Sequence, residues 1–232
     1  MRMRRDSIAA ALLALGAAWL APPASQAMSL QPINLADMVQ HSTHIVAGTV
    51  SAVNQGIDRS GLPYTEIEVK VAEAIRGNAG GTLTFRQFGL QTAQPAANGR
   101  KYVGLVAGMP RYAQGDQVVL FLGPVSTLGY RTTVGLGQGH FAMHGGNLRN
   151  DANNSGLFSG VSFGKHRLND KEKFMITTKQ GVVGADTFVS LVRRAVGGKW
   201  WDGPKMKTRP RAPRPLSPPP SRIQTEGGPT ND

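Results

Sequence analysis

The residues of this 232-residue chain that could do chemistry are five histidines, one serine set between glycines, and a short glycine string. His41 and His44 stand three apart, and His140 and His144 four apart. On a helix either spacing would put two imidazoles on one face, where they could share a metal. His140-Phe-Ala-Met-His144 has strand composition, however, and residues four apart on a strand share a face at a separation of about 13 Å. No strong carboxylate partner stands close in sequence. The histidines are therefore read as ordinary polar residues, and no metal or other cofactor is expected.

Gly160-Val-Ser162-Phe-Gly164 has the form of a nucleophile elbow, which needs an apolar strand before the serine and a helix after it. Here polar Asp151-Ala-Asn-Asn-Ser155 leads in and Lys165-His166-Arg167 follows. His166 also lies too near in sequence to act as the usual distant base. Gly135-Leu-Gly137-Gln-Gly139 misses the dinucleotide fingerprint because its last glycine comes one residue early, so it is read as a tight turn between strands. Glu66 and Glu68 share one wet strand face, whereas paired acid–base work needs carboxylates that converge in different environments. Cysteine is absent, which removes thiolate nucleophiles, thiolate metal sites and thiol redox chemistry together. These readings predict a protein that is not an enzyme. A hydrolase using the 140–167 region is the alternative kept from the serine string.

The elements that must position these residues are mostly strands. Residues 45–53, 64–77 and 83–89 each have β composition and end in glycine or turn residues. In the second, Ile67, Val69 and Val71 alternate with Glu66, Glu68 and Lys70, giving one apolar and one wet face. In the third, Leu83 and Phe85 point inward, Thr84 and Arg86 outward. Val118 to Leu122 is apolar without interruption, as a strand covered on both faces would be. Val103 to Val106, Tyr130 to Val134 and Gly139 to Met143 are read as further strands. Asn147 to Gly160, polar and glycine-rich, is read as a loop. Asn34 caps a short helix that presents Leu35, Met38 and Val39, and Asp186 caps a second over Ala185 to Val196, with Arg193 and Arg194 in its last turn. The expected fold is mainly β: a small OB-like antiparallel barrel with a short N-terminal and a C-terminal helix, a β-sandwich being the runner-up. The connection 91–114 is long for a compact domain, and such loops are where binding residues concentrate.

The ends have their own character. Arg2, Arg4 and Arg5, the apolar run Ile8 to Leu20, and Ser25-Gln-Ala27 make the three parts of a secretory signal, with cleavage after Ala27. The run is shorter than a spanning helix needs. Residues 28–198 then form the barrel domain. Residues 199–232 carry eight of the fifteen prolines among Lys205, Lys207, Arg209, Arg211, Arg214 and Arg222. Proline fixes φ and removes a donor, so this stretch is expected to be a disordered, extended tail.

The string Ala36-Asp37, Ile45-Val46, Gly48, Val50, then Thr65, Val71, Arg76-Gly77, then Gly115-Asp-Gln-Val-Val-Leu-Phe-Leu122 is similar to a pattern in exported bacterial proteins with an OB-like barrel. It also resembles, distantly, the N-terminal domain of tissue inhibitors of metalloproteinases and netrin-type modules. The resemblance implies an OB-type barrel and, as a further alternative, a module that inhibits a metalloprotease. Those inhibitors meet the protease zinc through an N-terminal cysteine, and this chain has none, so the resemblance assigns that role to no residue here.

The formal charge is +12. Such a chain attracts polyanions. With a secretory signal in front of it, the expected location is periplasmic or secreted. The expected function is a non-enzymatic binding or accessory module of the bacterial cell envelope, partnered by another exported protein and, through the tail, by an anionic envelope surface. Basic barrels also hold single-stranded nucleic acid on exposed aromatics, but export makes nucleic acid the less expected partner. Candidate contact residues are Met109, Arg111 and Tyr112 in the long connection, Trp200 and Trp201 at the domain end, and Arg209, Arg211 and Arg214 in the tail.

Overall fold

A seven-stranded antiparallel sheet organises the chain in a computed structural model, which describes residues 31–95, 101–102 and 104–202. The segment read as a secretory signal and almost all of the basic tail, including Arg209, Arg211 and Arg214, lie outside the described residues. The strands are β1 (His44–Ile57), β2 (Pro63–Arg76), β3 (Thr82–Phe88), β4 (Gln94–Pro95), β5 (Lys101–Tyr102), β6 (Gln117–Leu122), β7 (His140–His144), β8 (Asn147–Asn150) and β9 (Val183–Gly184); the helices are α1 (Leu35–His41), α2 (Asp170–Met175) and α3 (Ala185–Gly197). The sheet order is β3-β2-β1-β6-β7-β8-β9, with β4 and β5 paired separately.

The mainly-β, antiparallel expectation holds, but the sheet is not closed as a barrel. Instead of a strand over Tyr130 to Val134, the chain makes only two isolated bridges there, Arg86 with Tyr130 and Leu122 with Thr133. The segment turns away at Gly135, which is left-handed, before a ladder can grow. Residues 104–106 likewise form no strand.

Two apolar clusters flank the middle of the sheet. On one side, Val46, Val50, Ile67, Val69, Phe85 and Tyr112 pack together. On the other, α1 and α3 bring Leu35, Met38, Phe188, Leu191 and Val192 against Ile45, Phe121 and Phe141. The rings of Phe121, Phe141 and Phe188 meet at 5.0–6.2 Å between centroids. β6 divides the clusters: Val118, Leu120 and Leu122 face one, Val119 and Phe121 the other. That is why its apolar run is unbroken. β1 can bind β2 and β6 so closely because residue 48 is glycine; a Cβ there would fall on the Lys70 carbonyl.

The helices start as capping predicts, with one correction. The Asn34 side chain accepts from Asp37 N at 3.0 Å. At α3, however, the N-cap is Gly184, and Asp186 lies inside the first turn with no capping bond; a carboxylate there still opposes the helix dipole. Two further elements are regular where the sequence shows a polar loop or no pattern: β8, and α2 with a capping box between Asn169 and Glu172.

Arg193 joins α3 to β2 through two bonds to Glu73, at 2.6 and 2.7 Å. That hydrogen bonding holds the Glu73 carboxyl below its ordinary value of 4.5. A depressed acid stabilises the fold above its unfolded pKa and loses that contribution as pH falls through the folded value. We expect the melting temperature of the native chain to fall more between pH 6 and pH 3 than that of Arg193→Gln. Parallel curves would show that the pair contributes nothing.

Candidate functional site

The hairpin β7–β8 turns at Gly145-Gly146, both left-handed, and sets Phe141 opposite Asn150. Continued by one residue, that register brings His140 beside Asp151. The His140 Nδ1 stands 3.8 Å from Asp151 Oδ1, an ion pair when the imidazole is protonated. His140 is only 5 % exposed, and neither of its ring nitrogens has a hydrogen-bond partner among the described residues. Its ring packs edge-on to Tyr112 at 4.9 Å.

Tyr112 is brought here by the connection between β5 and β6. Gln91 holds it from both sides, accepting from Tyr112 N at 2.6 Å and donating to Tyr112 O at 2.9 Å. Its hydroxyl is buried and has no hydrogen bond of normal geometry among the described residues; the Thr133 side chain, which lies beside it, donates to Leu136 O at 2.6 Å. Burial first, and the charge of Asp151 second, push the Tyr112 hydroxyl up, so it keeps its proton. Three buried polar atoms thus gather behind one half-exposed carboxylate. Leaving such atoms unpaired costs about 1–3 kcal/mol each, so they are uncommon without a function.

Asp151 also lines a cavity of about 310 Å³, with Pro32, Gly108, Gly137, Ala152 and Ser155 around it. The wall is rigid. The Gln138 side chain accepts from Ile33 N at 2.9 Å and donates to Gln31 O at 3.1 Å. Asn150 donates to Gln138 O at 2.8 Å, and Asn154 donates to Leu148 O and Gly181 O at 3.0 and 2.7 Å. Gly137 N donates to Gly108 O at 2.8 Å, which fastens the long connection to the hairpin. A Cβ at residue 137 would fall on the Asp151 carboxylate. Leu136 is held left-handed at φ 57°, a costly conformation for a bulky residue and one that concentrates at functional sites.

No family model, no curated protein and no solved structure matches this chain. The site must be argued from its own chemistry. Small side chains make the cavity walls, a carboxylate stands at its lining, and buried donors and acceptors lie behind that carboxylate. Such a cavity fits a narrow apolar stem ending in a cationic or hydrogen-bond-donating head, such as a lysine or arginine side chain.

The other candidates fall in different places. Met109 is half-buried on the same connection. Arg111 is exposed and donates to Gln91 O at 2.8 Å. Trp201 is buried, donates to Ser162 O at 2.9 Å and accepts from Gln40 at 2.6 Å. Trp200 stacks on His166 at 4.4 Å under the Arg194 guanidinium. Ser162 has no elbow around it: it lies in irregular chain, and among the described residues its hydroxyl accepts from Gly164 N alone, at 3.4 Å. Sequence reasoning named neither Asp151 nor Ser155 as a site residue, and it weighed His140 as a metal ligand and within the 140–167 region of the hydrolase alternative. The signal was the Gly145-Gly146 turn, which fixes the register that pairs residue 140 with 151.

Proposed function

We propose that this chain is an exported, non-enzymatic binding module of the bacterial cell envelope, and that the cavity at Asp151 receives a basic side chain from another exported protein. The observation that carries the reading is the set of unpartnered buried atoms on His140 and Tyr112 directly behind the carboxylate. Binding is favoured over catalysis because no nucleophile is hydrogen-bonded to His140 among the described residues. The His140–Asp151 pair gives the hydrolase alternative its one support, since that pairing could move a proton.

Ala152→Trp tests the reading by filling the cavity from its wall. The immobilised full chain is expected to capture a discrete partner from an envelope extract. The filled variant is expected to lose at least tenfold of it at an unchanged melting temperature. Equal capture by both proteins would overturn the cavity as the binding site.

A further inference from the structure

α2 is built with its polarity inverted. Of its six residues, Glu172 is fully buried and Met175 is buried, while Phe174 is 80 % exposed between exposed Lys171 and Lys173. A six-residue surface helix normally does the reverse, burying phenylalanine and exposing glutamate. The inward glutamate is accommodated by Arg194, which reaches both of its oxygens at 2.8 Å. The fold thus accepts a buried carboxylate paired to a part-exposed guanidinium, while presenting to solvent the most exposed aromatic ring among the described residues. Inversions of this kind mark functional surface.

The surroundings of Phe174 have a definite sign. Lys171, Phe174 and Val182, itself 55 % exposed, line one groove beside α2. Arg167, His166 and Lys173 line a second concavity on the other flank. Lys165 and Lys179 are exposed just before and after. Against these five lysines and arginines, the exposed acids on α2 and the start of α3 are Asp170, paired to Lys173 at 2.9 Å, and Asp186. An apolar ring beside Lys171 and Lys173, with further exposed cations on the flanking segments, matches a layer that is anionic at its plane and apolar just beneath. Among the described residues no helix is long and apolar enough to cross a membrane.

We propose that α2, with exposed Phe174 beside Lys171 and Lys173 and with Lys165, Arg167 and Lys179 on the segments that flank it, is a docking surface for an anionic lipid bilayer. The lysines and arginines meet the headgroups and the ring enters the acyl boundary. This surface stands apart from the Asp151 cavity and does not depend on what that cavity binds.

The test is co-sedimentation of the full chain with phosphatidylcholine vesicles, with and without phosphatidylglycerol. The chain is expected to bind only the anionic vesicles and to be released by high salt. Phe174→Ser and the pair Lys171→Glu with Lys173→Glu are each expected to weaken partition about tenfold or more. These side chains are exposed, so melting temperatures should not move. Replacing Arg209, Arg211 and Arg214 by serine removes tail charge; the Phe174 dependence is expected to persist in that background. The Phe174→Trp variant should bind, and its added indole emission, read as the difference from the native chain, should shift to the blue on anionic vesicles. Partition that ignores both patch variants, or that vanishes with the tail charges alone, would overturn the proposal, as would an unshifted difference emission from the Phe174→Trp variant. Anionic polymers or an acidic protein as the true partner would give the first of those outcomes.

Discussion

Arg194→Met is expected to destabilise the fold by about 3–5 kcal/mol, because it leaves the Glu172 carboxylate buried without its partner. Glu172 has no exposed surface, and its side chain is fixed twice: by Arg194, and by the capping box in which it accepts from Asn169 N at 2.9 Å. Arg194 also donates to Arg167 O and lies over the Trp200 ring. Losing it therefore loosens α2, the 163–168 segment and the Trp200 corner together. The decisive comparison is with Arg194→Met in a Glu172→Gln background. Glutamine keeps the acceptor for Asn169 N but carries no charge, so the double variant should melt well above Arg194→Met alone. Thermal unfolding followed by circular dichroism reads both. If the two variants melt together, the loss comes from packing on Trp200 and the charge is immaterial.

The same helix shows where sequence reading stops. β2 and β3 were legible because one face of each is the more deeply buried, so Ile67, Val69 and Phe85 fall at the period of two that pleating imposes. β6 was legible for the opposite reason: both faces are covered, and no polar residue interrupts it. α2 was invisible to such patterning because Glu172 takes the place of an apolar residue and Phe174 that of a polar one; only the Asn169…Glu172 spacing of a capping box announced it. β8 was missed because Asn147-Leu-Arg-Asn150 has little strand propensity. Its Asn150 serves instead in the amide network that stiffens the cavity wall. Barrel closure could not be read either, since it turned on whether residues 130–134 paired along their length or at two points. The long connection 91–114 stands out in the sequence by its length alone. What it brings Tyr112 against, His140 and Asp151, depends on a hairpin register set elsewhere.

His140→Leu is expected to raise stability while abolishing capture. The two imidazole nitrogens are buried without hydrogen-bond partners among the described residues, and removing them relieves a desolvation worth about 1–3 kcal/mol. Leucine retains apolar contact in the stack that runs from residue 140 through Tyr112 to Phe85, whose rings stand 4.9 and 5.9 Å apart in turn. A histidine kept only for packing would behave oppositely, because its replacement would cost stability and leave binding intact. Opposed signs are what a site retained for function produces, since function holds polar groups where folding alone would place apolar ones. The measurement pairs thermal unfolding with capture of a partner from an envelope extract by the full chain. A rise in melting temperature with at least a tenfold loss of partner supports His140 and Asp151 as one binding unit. A fall in melting temperature with undiminished capture would return His140 to the core and leave Asp151 a surface carboxylate.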